Sequence, residues 1–119
     1  MMRNQTKHSH GSAVSHWRWQ RISAMLTLPL MLYCVYLVVG MTTLDYAAAR
    51  AFVAAPSAAL PLAVLLIAGL YHAALGLQVI IEDYVSLVAG RNGLIMFARL
   101  ALGGIALVSL GSLARITLL

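Results

Sequence analysis

Three long apolar runs dominate the chain, separated by two shorter stretches in which polar and charged residues return. The first run, about 22–41, is nearly unbroken, and its polar positions Ser23, Thr27, Tyr33 and Tyr36 can bond within a helix or across to a neighbour. The second, about 58–81, is interrupted only by Tyr71, His72 and Gln78. The third, about 94–117, carries Arg99 and Arg115 near its ends, where a long side chain reaches out of the apolar layer. A bilayer-crossing helix needs ~20 mostly apolar residues, so each run predicts one span. Pro29 removes the donor for the Met25 carbonyl and predicts a modest kink about one turn earlier. Ala101, Gly104 and Gly111 share one face of the third span and predict close helix packing there.

The intervening stretches read as loops. Residues 42–56, with Asp45, Tyr46, Arg50 and Pro56, form an outer connection, and 82–93, with Glu82, Asp83, Arg91 and Asn92-Gly93, an inner one. Residues 1–20 make a polar basic arm without the apolar centre of a signal peptide, followed by a transmembrane domain over 21–119. Arg3, Lys7, Arg18, Arg21, Arg91 and Arg99 fall on the N-terminal side of the spans, against Arg50 and Arg115 on the other. The positive-inside rule therefore puts the N-terminus inside and the C-terminus outside, with Trp17 and Trp19 in an interfacial belt.

Composition narrows the function. Of 119 residues, 62% are apolar, 9% are charged and three are acidic, which excludes a water-soluble globule and leaves no room for an autonomous enzyme domain beside the spans. A net charge of +5 suggests nucleic acid until the basic residues are located; they flank apolar runs, so lipid and orientation explain them. Cys34 is the single cysteine and has no disulfide partner. His8, His10 and His16 have no acidic or thiol companions and read as a solvated tail. The Asn4-Gln5-Thr6 triplet fits the glycosylation pattern, but on the inner side it would not meet the transferase.

His72 is the only ionisable side chain far from both ends of a span, and an ionisable group at that depth marks a functional candidate. Gly69 and Gly76, three residues before and four after it, lie on the same helix face and leave flat backbone beside the imidazole. A haem needs such clearance and takes histidine as an axial ligand. The other reading is a histidine bonded to a second helix, with the glycines serving packing alone.

Asp83 follows His72 by eleven residues, a spacing that returns to nearly the same helix face ~16 Å along the axis. With Tyr84 it stands at the inner boundary, where a phenol can donate to a quinone carbonyl and a carboxylate can orient it or pass protons. A helix end with an interfacial tyrosine is the alternative. Arg21, with Ser23, faces the same boundary and suits either a haem propionate, a quinone site or a lipid phosphate.

The run Tyr71-His72-Ala73-Ala74-Leu75-Gly76-Leu77-Gln78-Val79-Ile80-Ile81-Glu82-Asp83-Tyr84-Val85, with Arg21-Ile22-Ser23 opening the first span, resembles the hydrophobic membrane-anchor family of succinate dehydrogenases, respiratory complex II. The resemblance implies an all-α, three-helix transmembrane anchor that packs with a partner three-helix anchor protein and carries an iron–sulfur and a flavoprotein subunit. It implies that His72 is one axial ligand of a haem b shared with that three-helix partner, so that the metal it binds is the haem iron. Tyr84 and Asp83 would bind ubiquinone or menaquinone, and Arg21 would neighbour the haem propionates or the quinone. The chain itself would do no bond-making chemistry. Within the same class stands a haem-free quinone anchor of the fumarate reductase type, and outside it a small structural membrane protein with His72 in packing. Lacking a transit peptide, the chain is expected in the bacterial plasma membrane rather than the mitochondrial inner membrane.

Overall fold

The computed structural model describes the backbone of residues 5–119 and side chains from Ala13 onward. Arg3, Asn4 and the side chains of Gln5, Thr6, Lys7, His8 and His10 lie outside the described residues. Four helices follow in order: α1 (Gln5–Met41), α2 (Tyr46–Ala54), α3 (Pro56–Tyr84) and α4 (Val88–Leu118). Among the described residues no strand occurs, and α1, α3 and α4 each contain a segment long and apolar enough to cross a membrane.

Each expected span lies within a longer helix. Helix α1 extends N-terminally through the polar stretch to Gln5, because no proline precedes Pro29 and an existing helix propagates easily. It is helical through Pro29 as well. Helix α3 opens with Pro56 at its first turn, where the missing N–H is no loss, and its 29 residues give it a length of ~43 Å. That exceeds a ~30 Å hydrocarbon core, a surplus that tilt or ends reaching into the interface accommodate.

Both expected loops are shorter than the sequence suggests. Within 42–56 the Asp45 carboxylate accepts from the Ala48 N–H at 2.8 Å and caps α2, a nine-residue helix. Phe52 of α2 lies 3.6 Å from where a Cβ on Gly40 would stand, so the glycine makes room for the ring at the end of α1. The inner connection contracts to residues 85–87. Glu82, Asp83 and Tyr84 complete the last turn of α3, while Asn92-Gly93 lies in the first turns of α4 and Gly93 does not take a positive φ. The Arg91 Nε donates to the Val85 carbonyl at 3.1 Å across this tight reversal.

Helix α3 is central, packed antiparallel against α1 on one side and α4 on the other, and α2 packs against α3 and α4. The α4 surface turned inward comprises Arg91, Ile95, Ala98, Leu102, Ala106, Ser109 and Leu113, all half-buried at helical spacing. Ala101, Gly104 and Gly111 lie on the opposite face and are exposed, and nothing comes within 4 Å of a Cβ added at either glycine. The expected small-residue packing face therefore points away from this chain's own helices.

The bundle is thin. Its accessible surface is 8972 Å², against ~6,300 Å² for a water-soluble monomer of this mass. Leu37, Ala58, Ala59 and Ala68 are the buried apolar residues, and Ser23 is the one buried polar residue among those described. In lipid, apolar burial does little to drive helices together, so interhelical hydrogen bonds, ~0.6 kcal/mol each, and close packing set the geometry. One such bond runs from the Tyr33 hydroxyl to the Ser57 carbonyl at 2.8 Å, joining α1 to the start of α3.

Candidate functional site

Midway along the α1–α3 seam, Ser23 and His72 meet. The Ser23 hydroxyl donates to the Gln20 carbonyl at 2.9 Å, and its oxygen lies 3.0 Å from His72 Nδ1. The same Nδ1 is 3.2 Å from the Gln20 carbonyl oxygen. A carbonyl can only accept, so the contact with Gln20 is a hydrogen bond in the tautomer that carries its proton on Nδ1, with the Ser23 oxygen as a second acceptor. Nε2 is the ring nitrogen turned away from both. No hydrogen bond engages it among the described residues, and the ring lines a groove of about 460 Å³ with Trp17, Gln20, Arg21, Ala24 and Met25.

An imidazole anchored through Nδ1 with its Nε2 unengaged has the arrangement of a one-nitrogen metal donor. Cationic Arg21 lines the same groove and lies over the Trp17 ring, 4.8 Å from its centroid. The groove thus offers a ligand nitrogen, a guanidinium for an anionic group and an aromatic wall.

The two glycines flanking His72 do different work. A Cβ on Gly69 would meet the Thr27 methyl of α1 at 3.9 Å, so this glycine sits in the helix contact. A Cβ on Gly76 would meet nothing within 4 Å, so the backbone on that side of the imidazole is open.

Asp83 and Tyr84 stand apart from this groove. They are exposed at the end of α3, with Tyr84 85% accessible, and twelve helical residues separate Tyr84 from His72 by ~18 Å along the axis. Arg21 is level with His72, whereas Glu82 lines a second cavity of about 360 Å³ with Ala13, His16 and Gln78. Arg21 and Tyr84, expected at one boundary, are therefore brought to different depths.

Around that second cavity lies a polar chain that the sequence pattern does not announce. The Arg99 guanidinium of α4 donates to Gln78 Oε1 at 2.8 Å, and Gln78 Nε2 donates to Glu82 Oε1 at 2.8 Å. His16, expected in a solvated tail, instead has its Nε2 buried beside them, with no hydrogen-bond partner among the described residues. The i, i+4 spacing of Gln78 and Glu82 is a usable signal for half of it. The participation of His16 and Arg99 depends on helix pairing and has none.

Among the described residues no cluster of three or more His, Cys, Asp or Glu side chains could hold a metal ion by itself.

Comparison with known proteins agrees with this architecture. Residues 2–113 match the family described as "Succinate dehydrogenase/Fumarate reductase transmembrane subunit". The chain is 38% identical over 93 residues to the "Succinate dehydrogenase hydrophobic membrane anchor subunit" of Rickettsia bellii (strain RML369-C), a match covering 76% of this chain and 74% of the relative. No solved structure matches the chain. With three membrane-length helices and a family match over nearly its whole length, the chain belongs to the succinate dehydrogenase/fumarate reductase transmembrane-subunit family, as a hydrophobic membrane anchor.

Proposed function

We propose that this membrane anchor holds one side of a b-type haem through His72 Nε2 and forms part of a quinone-reduction site at Tyr84 and Asp83. The observation that carries the haem assignment is the His72 imidazole itself, fixed through Nδ1 and free at Nε2, in a groove shared with Arg21. The donor set suits the group: His72 Nε2 would hold the iron, the Arg21 guanidinium would meet a propionate, and the backbone at Gly76 carries no side chain beside the imidazole. Bound there, the haem supplies a one-electron redox centre inside the membrane.

This chain's residues do the rest by position. His72 fixes the ligand direction, and Arg21 balances carboxylate charge. At the end of α3 the exposed Tyr84 phenol donates to a quinone carbonyl, with Asp83 beside it exchanging protons with water. Quinone reduction takes two electrons and two protons; the electrons come from succinate oxidation in the catalytic subunits, so this chain alone is not an enzyme. Its partners are a second three-helix anchor protein, which would supply a further haem ligand, an iron–sulfur protein and a flavoprotein. The quinone is ubiquinone or menaquinone. The assembly sits in the bacterial plasma membrane with the N-terminus of this chain inside, as the excess of arginine and lysine at that end supports.

The test is a dithionite-reduced minus oxidised spectrum of the gently solubilised complex, wild type and His72→Gln. A b-type signal in the wild type that disappears in His72→Gln is expected. A complex with flavoprotein and iron–sulfur subunits but no haem would discard the haem assignment and leave a haem-free quinone anchor.

A further inference from the structure

We infer that Ser23 is a positioning residue for His72: its hydroxyl oxygen accepts from Nδ1 beside the Gln20 carbonyl, sets the rotation of the imidazole, and thereby tunes the iron that Nε2 would hold. The inference deepens the haem reading above and rests on it.

Geometry carries the argument. Ser23 is the only buried polar residue among those described and is 5% exposed, so its hydroxyl must find partners inside the α1–α3 contact. It has one proton, which goes to the Gln20 carbonyl at 2.9 Å, and its oxygen is left to accept from His72 Nδ1 at 3.0 Å. The direct contact from Nδ1 to the Gln20 carbonyl is longer, at 3.2 Å, so Ser23 provides the shorter of the two anchors. Two acceptors on different atoms define the ring plane, where a single carbonyl would let it pivot. One turn along, a Cβ added at Gly69 would stand 3.9 Å from the Thr27 methyl, so the seam beside the Ser23–His72 contact has room for a small residue and not a bulky one.

A ligating histidine that donates its other ring N–H becomes a more basic ligand, and loss of such an outer partner typically weakens metal binding 10- to 100-fold. A more basic imidazole favours ferric over ferrous iron. Removing the Ser23 hydroxyl while leaving the Gln20 carbonyl should therefore weaken haem retention at the low end of that range, ~10-fold, and raise the haem midpoint potential. Each tenfold change in the ferric-to-ferrous preference corresponds to ~59 mV for a one-electron couple.

The experiment uses the whole complex, purified with its catalytic subunits, in wild-type, Ser23→Ala, Ser23→Cys and Ser23→Thr forms. Haem-to-flavin ratio and a spectroelectrochemical titration of the b-type band are measured for each. Ser23→Ala is expected to raise the midpoint and lower the haem ratio, and Ser23→Thr, which keeps a hydroxyl, to restore both. Ser23→Cys, of similar size but a poor hydrogen-bonding group, should follow Ser23→Ala, and it answers the question if the alanine variant does not assemble. A wild-type haem whose potential and retention are unchanged in Ser23→Ala and Ser23→Cys overturns the role of Ser23 while leaving His72 as ligand. A wild-type complex without haem, or a b-type spectrum that survives His72→Gln, overturns the haem reading and this inference together, and it does so in samples where Ser23 is intact.

Discussion

Gly69 of α3 faces Thr27 of α1 so closely that an added Cβ would stand 3.9 Å from the threonine methyl, one turn from the Ser23–His72 bond. This contact lies between the helices at the level of the histidine. A Cβ at 3.9 Å is ordinary van der Waals contact, so Gly69→Ala is expected to leave haem content and assembly unchanged, with a helix-propensity gain of up to ~1 kcal/mol. Gly69→Leu cannot fit and should part α1 from α3, breaking the Ser23–His72 bond. Haem-to-flavin ratios of the two variants check this, and a Gly69→Leu complex with full haem would show that the contact does not hold the site.

The second glycine gives the opposite expectation. Among the described residues nothing lies within 4 Å of a Cβ at Gly76, so Gly76→Leu should preserve the three-helix fold and membrane insertion. If the macrocycle edge passes there, the same variant loses the b-type band, with haem occupancy falling to about a tenth or less, comparable to the loss of an outer-shell partner. Circular dichroism and the reduced-minus-oxidised spectrum separate the two effects.

Tyr84 makes no hydrogen bond among the described residues and is 85% exposed, so its hydroxyl contributes little to this chain's stability. Tyr84→Phe is expected to change thermal unfolding by no more than about 0.5 kcal/mol. Succinate oxidation with an artificial acceptor should be spared while quinone reductase activity falls roughly tenfold or more, the scale on which a positioned acid–base group acts. Equal rates with both acceptors would remove the phenol from the quinone site.

At the other end of the bundle, Asp45→Ala deletes the oxygen that accepts from the Ala48 N–H. Loss of such a cap costs ~1 kcal/mol of local helix stability. Hydrogen exchange over Tyr46–Ala54 should accelerate about fivefold, the equivalent of that free energy, while the haem band and quinone activity remain those of the wild type. Loss of haem in this variant would mean that α2 supports the His72 groove, which it does not line.

The number of spans, their rough centres and the singularity of His72 follow from the sequence alone, because length and mean polarity suffice to tell bilayer-crossing segments from the rest and to expose one ionisable group far from any end. Helix phase does not follow. In the third run nearly every position is apolar, so no polar stripe marks an outward face; the small residues Ala101, Gly104 and Gly111 suggest packing, yet Leu102, Ala106 and Leu113 are the ones that turn inward. The short helix over Tyr46–Ala54 is hidden for a related reason: its cap is one aspartate in a stretch that otherwise reads as a loop. The pairing of Ser23 with His72, separated by 49 positions in sequence, and the depth difference between Arg21 and Tyr84 are decided only when α1 packs antiparallel on α3. A hydrogen bond between helices depends on their register and rotation, and those are set by side-chain contacts that a uniformly apolar sequence does not encode in its local pattern.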